Sequence, residues 1–444
     1  MRKVLFISYY FPPAGGSAVQ RALKFVKYLP RNGWQPVVLT ARESDHALMD
    51  DTLCPDIPDR IKLIRAAAPD LYRQYTRFNK SGDTAASDLS AIAVHEKSKG
   101  SLIQKLSLWI RNAFFIPDAR AGWLPFAVAR GLKAIQAENI DLIFTTSPPF
   151  TTVLIGLLLK KITGLPWVSD YRDPWTQSYY YFKRPFLSAR WEEYLERVCL
   201  RHADQVISIN SYILDDMRNK TRSLDPAKCA VLPNGFDPED FLGIKPYKSN
   251  KFTLVYTGTQ NTKMHAAPLL EAVNDLAKRD PAQGRKIEIL FIGRISNDVL
   301  AMYKKNKWNT LYRHLGQLPH TQALTYSTGA DLLLLLIPDY PDNRLIMTGK
   351  LFEYLNTGNP ILCLTDQGIA ADIIRECNAG FCLNPAEPKV LTDTLSDCFK
   401  KWSKGRPLIQ GSHKKDVIAR YNRKKITRDL AGVFDRMIEG KTLK

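Results

Sequence analysis

No run of about 18 apolar residues occurs in the 444-residue chain, so no membrane-spanning helix is expected. Cysteine is sparse. The seven lie at 54, 199, 229, 363, 377, 382 and 398, with no CxxC pair and no Cys/His spacing of a zinc site. They read as scattered small core residues in a reducing compartment. A secretory leader is not expected either. Met1-Arg2-Lys3 runs into a short uncharged stretch and then Tyr9-Tyr10-Phe11-Pro12-Pro13, with no small-residue cleavage site. Short internal repeats are absent, which excludes a solenoid. A chain that is cytoplasmic, or peripheral on the inner face of the cytoplasmic membrane, is expected.

What is present is ordinary globular material: 45% hydrophobic and 24% charged residues, enough to exclude wholesale disorder. The formal net charge is +19. It attracts polyanions such as nucleic acid, acidic headgroups or phosphorylated small molecules. Residues 401–444 hold 13 basic and 4 acidic side chains, the most cationic part of the chain.

Short apolar strands alternate with amphipathic helices through most of the sequence. Val4–Ile7, Val37–Leu39, Ile61–Ile64, Asp141–Thr145, Trp167–Ser169 and Gln205–Ile209 read as strands. So do Phe252–Tyr256, Lys286–Ile292, Asp331–Ile337 and Ile361–Leu364. Such alternation predicts parallel sheets covered on both faces. Residues 66–100, rich in Ala, Ser, Asp and Lys, break the rhythm and read as a mobile insertion. The expected division is 1–235, 236–415 and a basic terminal helix in 416–444, which either packs on the second domain alone or crosses back to the first. Tyr421–Met437 places Ile426, Leu430, Val433, Phe434 and Met437 at helical spacing.

Open parallel sheets bind ligands at the carboxyl ends of their strands, and three loops there stand out. In Phe11–Ser17, Gly15 and Gly16 at a helix start let backbone amides approach an anion closely; an ordinary glycine-rich turn has the same composition. In Trp167–Trp175, Asp170 and Asp173 flank Arg172 directly after a buried strand. That cluster is either a structural ion pair or a site by position. In Met347–Pro360, a helix starts near Gly349 and stops at Gly358. Lys350 sits in its first turn, where a cation is unfavourable unless an anion is present. Glu353 follows on the same face. Lys350 and the helix amides suit a diphosphate, and the Glu353 carboxylate suits a ribose diol; a surface Lys–Glu pair is the plainer alternative.

Five motifs in order resemble family 4 (GT4) glycosyltransferases of the GT-B fold. They are Phe-Pro-Pro-Ala-Gly-Gly, Thr-Ser147-Pro-Pro, Leu232-Pro-Asn-Gly-Phe-Asp237, Tyr256-Thr-Gly258 and Gly349-Lys350-Leu-Phe-Glu353-Tyr-Leu. The resemblance implies an α/β protein with two facing Rossmann-like domains, parallel sheets and an interdomain cleft. The first domain would bind an acceptor and the second a nucleotide-diphosphate sugar. It implies retaining transfer with no metal and no cofactor beyond the co-substrate. Donor contacts would come from Gly15, Gly16, Gly258, Lys263, Arg294, Gly349, Lys350 and Glu353. Asp170, Asp173 and Arg172 would be the catalytic group. The first of the family's paired glutamates would fall at Leu345, and Thr259 stands where many members have arginine.

On the acceptor side the expected residues are Ser147, Tyr180, Lys183 and Arg184, for a glycan or lipid-linked acceptor in cell-envelope polysaccharide synthesis. Ser101–Ile116 places Leu102, Ile103, Leu106, Trp109, Ile110, Ala113 and Phe114 on one helical face with Lys105 and Arg111 at its borders. That face fits an anionic membrane surface or an ordinary core. The alternatives are a GT-B sugar-nucleotide epimerase, a non-catalytic GT-B scaffold and, as a different class, a nucleic-acid binder. No nucleic-acid motif appears, and no nucleic-acid partner is expected.

Overall fold

A computed structural model describes residues 1–42, 49–69, 113, 115–176, 184–221, 224–340 and 343–442. The chain forms two compact units: Met1–Pro233 together with Arg423–Lys444, and Asn234–Asn422. Most of the expected insertion, most of the Ser101–Ile116 helix, and Tyr180 and Lys183 lie outside the described residues.

The first unit holds seven parallel strands: β1 (Arg2–Ile7), β2 (Trp34–Ala41), β3 (Lys62–Ala66), β4 (Leu142–Ser147), β5 (Trp167–Tyr171), β6 (Gln205–Ser208) and β7 (Cys229–Val231). Their order is β3-β2-β1-β4-β5-β6-β7. The sequence walks outward from β1, returns, and continues on the other side from β4. That reversal opens a crevice at the carboxyl ends of β1 and β4, where doubly wound sheets bind ligands. The central strands are apolar on both faces because helices cover both sides. Val4, Phe6, Leu142, Phe144 and Val168 are all fully buried.

Helix Ser17–Tyr28 gives way to a 3-10 turn at Leu29–Asn32, which Gly33 ends at φ 84°. The terminal helix, Arg423–Thr442, belongs to this unit rather than to the second. Its Ile426, Leu430, Val433 and Phe434 are at most 2% exposed. Phe434 meets Trp34 and Phe144 edge-on at centroid separations of 5.2 and 5.5 Å. An apolar stripe of this kind is driven inward by the area it removes from water. Asp435 secures the helix by accepting from Arg2 and from the Trp34 indole.

The second unit repeats the plan with six parallel strands: β8 (Phe252–Thr257), β9 (Ile287–Ile292), β10 (Arg313–His314), β11 (Leu332–Leu335), β12 (Ile361–Cys363) and β13 (Gly380–Cys382). The order is β10-β9-β8-β11-β12-β13. Its switch point therefore lies between the carboxyl ends of β8 and β11. Entry and exit of the chain are tied together within the unit, where the Phe236 amide donates to the Tyr421 carbonyl at 3.0 Å. None of the seven cysteines forms a disulfide. Among the described residues no helix is long and apolar enough to cross a membrane.

Candidate active site

The second sheet places its motif residues together. Helix Gly349–Thr357 buries Leu351, Phe352, Tyr354 and Leu355, while Lys350 and Glu353 are only half-buried. Tyr354 locks the helix to the end of β8: its hydroxyl accepts from the Thr257 amide at 3.0 Å and pairs with the Thr257 hydroxyl at 3.0 Å. Burial pushes the Tyr354 hydroxyl up to about 12, so it stays protonated.

Lys350 runs back across Gly258. A Cβ at Gly258 would lie 2.1 Å from Lys350 Cε and 2.6 Å from Nζ. Gly258 also sits at φ 138°, outside the range of side-chain-bearing residues. Gly293 allows the next approach, since a Cβ there would fall 2.3 Å from the Gly258 carbonyl. The Lys350 ammonium lies 5.9 Å from the Tyr256 ring centroid. It makes no ion pair among the described residues. Burial lowers its pKa, and nearby Glu353 only partly offsets this. The Thr348 hydroxyl, just before the helix, is buried with no hydrogen-bond partner among the described residues. The first turn holds no acidic residue. A cation in no ion pair, an unused hydroxyl and a helix N-terminus thus meet at one switch point, the arrangement that an anionic ligand completes.

Glu353 is not the isolated surface partner of Lys350. Its Oε1 takes the Nε2 of His320 at 3.0 Å, with side chains 30% and 27% exposed. Lys263 is exposed in the turn Asn261–Met264 after β8, and its carbonyl accepts from the Asp339 amide at 2.7 Å. Arg294, exposed after β9, donates to Gln317 at 2.9 Å. Leu345 lies in a 3-10 turn, Asn343–Leu345, ahead of the helix.

At the carboxyl edge of the first sheet the Asp-Arg-Asp cluster separates into different jobs. Asp170 does not pair with Arg172. It is fully buried on β5 and binds Arg21 through two hydrogen bonds of 2.7 and 3.0 Å. The Thr146 hydroxyl adds a third at 2.7 Å. Arg21 also donates to the carbonyls of Leu232 and Pro233, so the pair fixes the segment that leaves β7. Arg172 is a backbone clamp, donating to the carbonyls of Ser147, Ala18 and Pro148 at 3.0, 2.6 and 2.5 Å. Asp173 alone of the three makes no hydrogen bond or ion pair among the described residues. Burial raises its carboxyl pKa, against the lowering effect of Arg172.

Ser147 is fully buried, and its hydroxyl donates to the Asp170 carbonyl at 3.2 Å. Arg184 binds Glu192 at 2.6 Å and the carbonyls of Phe115 and Pro117. These two hold the scaffold of the edge. The glycine loop stands at the end of β1, with Gly16 at φ 95° capping helix Ser17–Tyr28.

Sequence reasoning missed Arg21, Thr348 and His320. Thr348 carried a signal, as the residue next to the helix start. Arg21 and His320 carried none, because their partners are 149 and 33 residues away.

Residues 92–240 match the family model described as Glycosyltransferase Family 4. No curated protein sequence matches the chain. Among solved structures it is similar to sucrose-phosphate synthase from Thermosynechococcus elongatus, with a TM-score of 0.66 and 14% identity over 99% of this chain and 100% of that one. It is also similar to the lipopolysaccharide outer core galactosyltransferase WaaB in its apo form, with a TM-score of 0.57 and 14% identity over 99% and 100%. A third is WaaG, a glycosyltransferase involved in lipopolysaccharide biosynthesis, with a TM-score of 0.53 and 15% identity over 99% and 98%.

Proposed function

We propose that this chain, whose residues 92–240 match the Glycosyltransferase Family 4 model and whose fold is that of GT-B glycosyltransferases, is a GT4-like glycosyltransferase whose second unit holds a nucleotide-diphosphate sugar at the ends of β8 and β11. The sugar then passes, with retention and without a metal, to a glycan or lipid-linked acceptor on the first unit. The observation that carries this reading is Lys350: a half-buried cation that makes no ion pair among the described residues, beside a Thr348 hydroxyl with no hydrogen-bond partner among them, at a helix N-terminus. Burial penalises that cation in the free protein, and a diphosphate offsets the penalty.

During transfer the bond from the sugar's anomeric carbon to the diphosphate oxygen breaks, and a bond to the acceptor oxygen forms. Negative charge grows on the leaving diphosphate. Lys350, the Thr348 hydroxyl and the amides at Gly349 are fixed beforehand to meet it, which is how preorganised dipoles and cations lower a barrier. Lys263 and Arg294 are the additional cations in the loops after β8 and β9. Glu353 accepts from the ribose hydroxyls. Asp173 orients the acceptor hydroxyl, and its raised pKa makes it a better base than an exposed aspartate. No covalent nucleophile is assigned.

A cell-envelope acceptor accords with the two lipopolysaccharide enzymes among the similar structures, and the proposed binding to an anionic membrane surface rests on the net charge of +19. Co-sedimentation with anionic vesicles that weakens as salt rises checks the membrane part. For the chemistry, Lys350→Ala and Glu353→Gln are each expected to lower nucleotide-sugar turnover at least tenfold, about 1.4 kcal/mol. Unchanged kinetics in both would overturn the assignment.

A further inference from the structure

We infer that His320 is a positioning residue that orients Glu353 for the ribose cis-diol and so sets the preference for ribonucleotides over 2′-deoxyribonucleotides. The inference rests on the proposed role of Glu353 and goes beyond it by identifying a side chain that holds that carboxylate in place.

His320 opens helix His320–Thr328 directly after Pro319. Its Nε2 lies 3.0 Å from Glu353 Oε1 on the neighbouring helix. The backbone around Glu353 is set by the Tyr354 anchor on Thr257. The carboxylate itself turns about a broad, roughly two-fold terminal torsion, which backbone anchoring does not restrict. A cis-diol needs both oxygens in one plane with its two hydroxyls, so a rotating carboxylate loses binding energy to ordering. An imidazole N–H on Oε1 narrows that rotation in advance. A carboxylate offers about four lone-pair sites, of which the His320 bond takes one. The neutral imidazole protonated at Nε2 can donate this bond, so it does not require a charged histidine.

A ligand with one hydroxyl needs the plane less than a ligand with two. Loss of His320 is therefore expected to harm ribonucleotide binding more than 2′-deoxyribonucleotide binding. A side chain that merely packs two helices together would weaken both equally.

The test is calorimetric binding of the full-length chain to ADP, GDP, UDP and CDP and to their 2′-deoxy counterparts. Wild type is expected to prefer the ribose form of its best nucleotide at least tenfold, and Glu353→Gln to lose that preference. His320→Ala is expected to reduce the preference at least threefold. His320→Gln, whose amide nitrogen reaches the same place as Nε2, restores it. Should His320→Ala fail to fold, His320→Asn, too short to reach Glu353, gives the same comparison.

A preference that survives Glu353→Gln removes the ribose role of Glu353, and this inference with it. A preference lost in Glu353→Gln but intact in His320→Ala keeps that role and overturns the inference alone. A His320→Gln variant that behaves like His320→Ala also overturns it, because the hydrogen bond would not be the agent.

Discussion

Replacing Lys350 with methionine removes a charge while keeping most of the side-chain volume, and the structure predicts two opposite effects. The first is on binding. A hydrogen bond to a charged group contributes about 1.5–3 kcal/mol, so nucleoside diphosphate affinity should fall about 10- to 150-fold. The second is on stability. Burial lowers the Lys350 pKa, so the folded state holds that proton less tightly than the unfolded state does. Between the lowered folded value and the ordinary value of 10.5 the unfolded chain binds more protons, and stability rises with pH. Below that window the penalty is fully present, and within it the penalty is partly present. Lys350→Met removes it, so the ligand-free variant should melt above wild type near pH 7. The variant should also lack wild type's gain in stability on the alkaline side. Calorimetric titration and thermal melts of the full-length chain at several pH values measure both. A variant that binds nucleotide normally and melts no higher than wild type would refute the reasoning.

Asp170→Ala leaves Arg21 buried without its carboxylate, and should cost about 3–5 kcal/mol in urea unfolding; lost turnover at unchanged stability would instead make Asp170 catalytic. Gly258→Ala forces a Cβ into the space of the Lys350 side chain, and should cut nucleotide affinity at least tenfold, about 1.4 kcal/mol. Normal affinity in that variant would show that Lys350 need not cross Gly258. Phe434→Ala empties a fully buried aromatic site and should destabilise the first unit by about 3–5 kcal/mol. Unchanged hydrogen exchange in residues 1–233 would show that the terminal helix does not complete that core.

The two sheets were legible because their central strands are dense apolar runs, and Leu332–Leu335 cannot face water on either side. The edge strands were not. Arg313–His314 in β10 is exposed and polar, and Gly380–Cys382 in β13 is only half-buried, so neither carries a period. Lys350 and Glu353 could be paired from spacing alone, because a helix fixes the face shared by residues three apart. Asp170 and Arg172 could not be assigned that way. Alternate strand residues share a face, but which buried cation meets Asp170 depends on where helix Ser17–Tyr28 lands on the sheet. Arg21 wins because it reaches Asp170 with two nitrogens at once, while Arg172 is occupied by three carbonyls. Distant partners of this kind leave no local trace in sequence.

The central claim is that the carboxyl ends of β8 and β11 hold the donor diphosphate. A crystal structure of the full-length chain with its best-binding nucleoside diphosphate tests it most directly. A phosphate is expected within hydrogen-bond distance of Lys350 Nζ and Thr348 Oγ1, with the ribose hydroxyls on Glu353. A nucleotide bound elsewhere, with Lys350 and Thr348 still unpartnered, would contradict it.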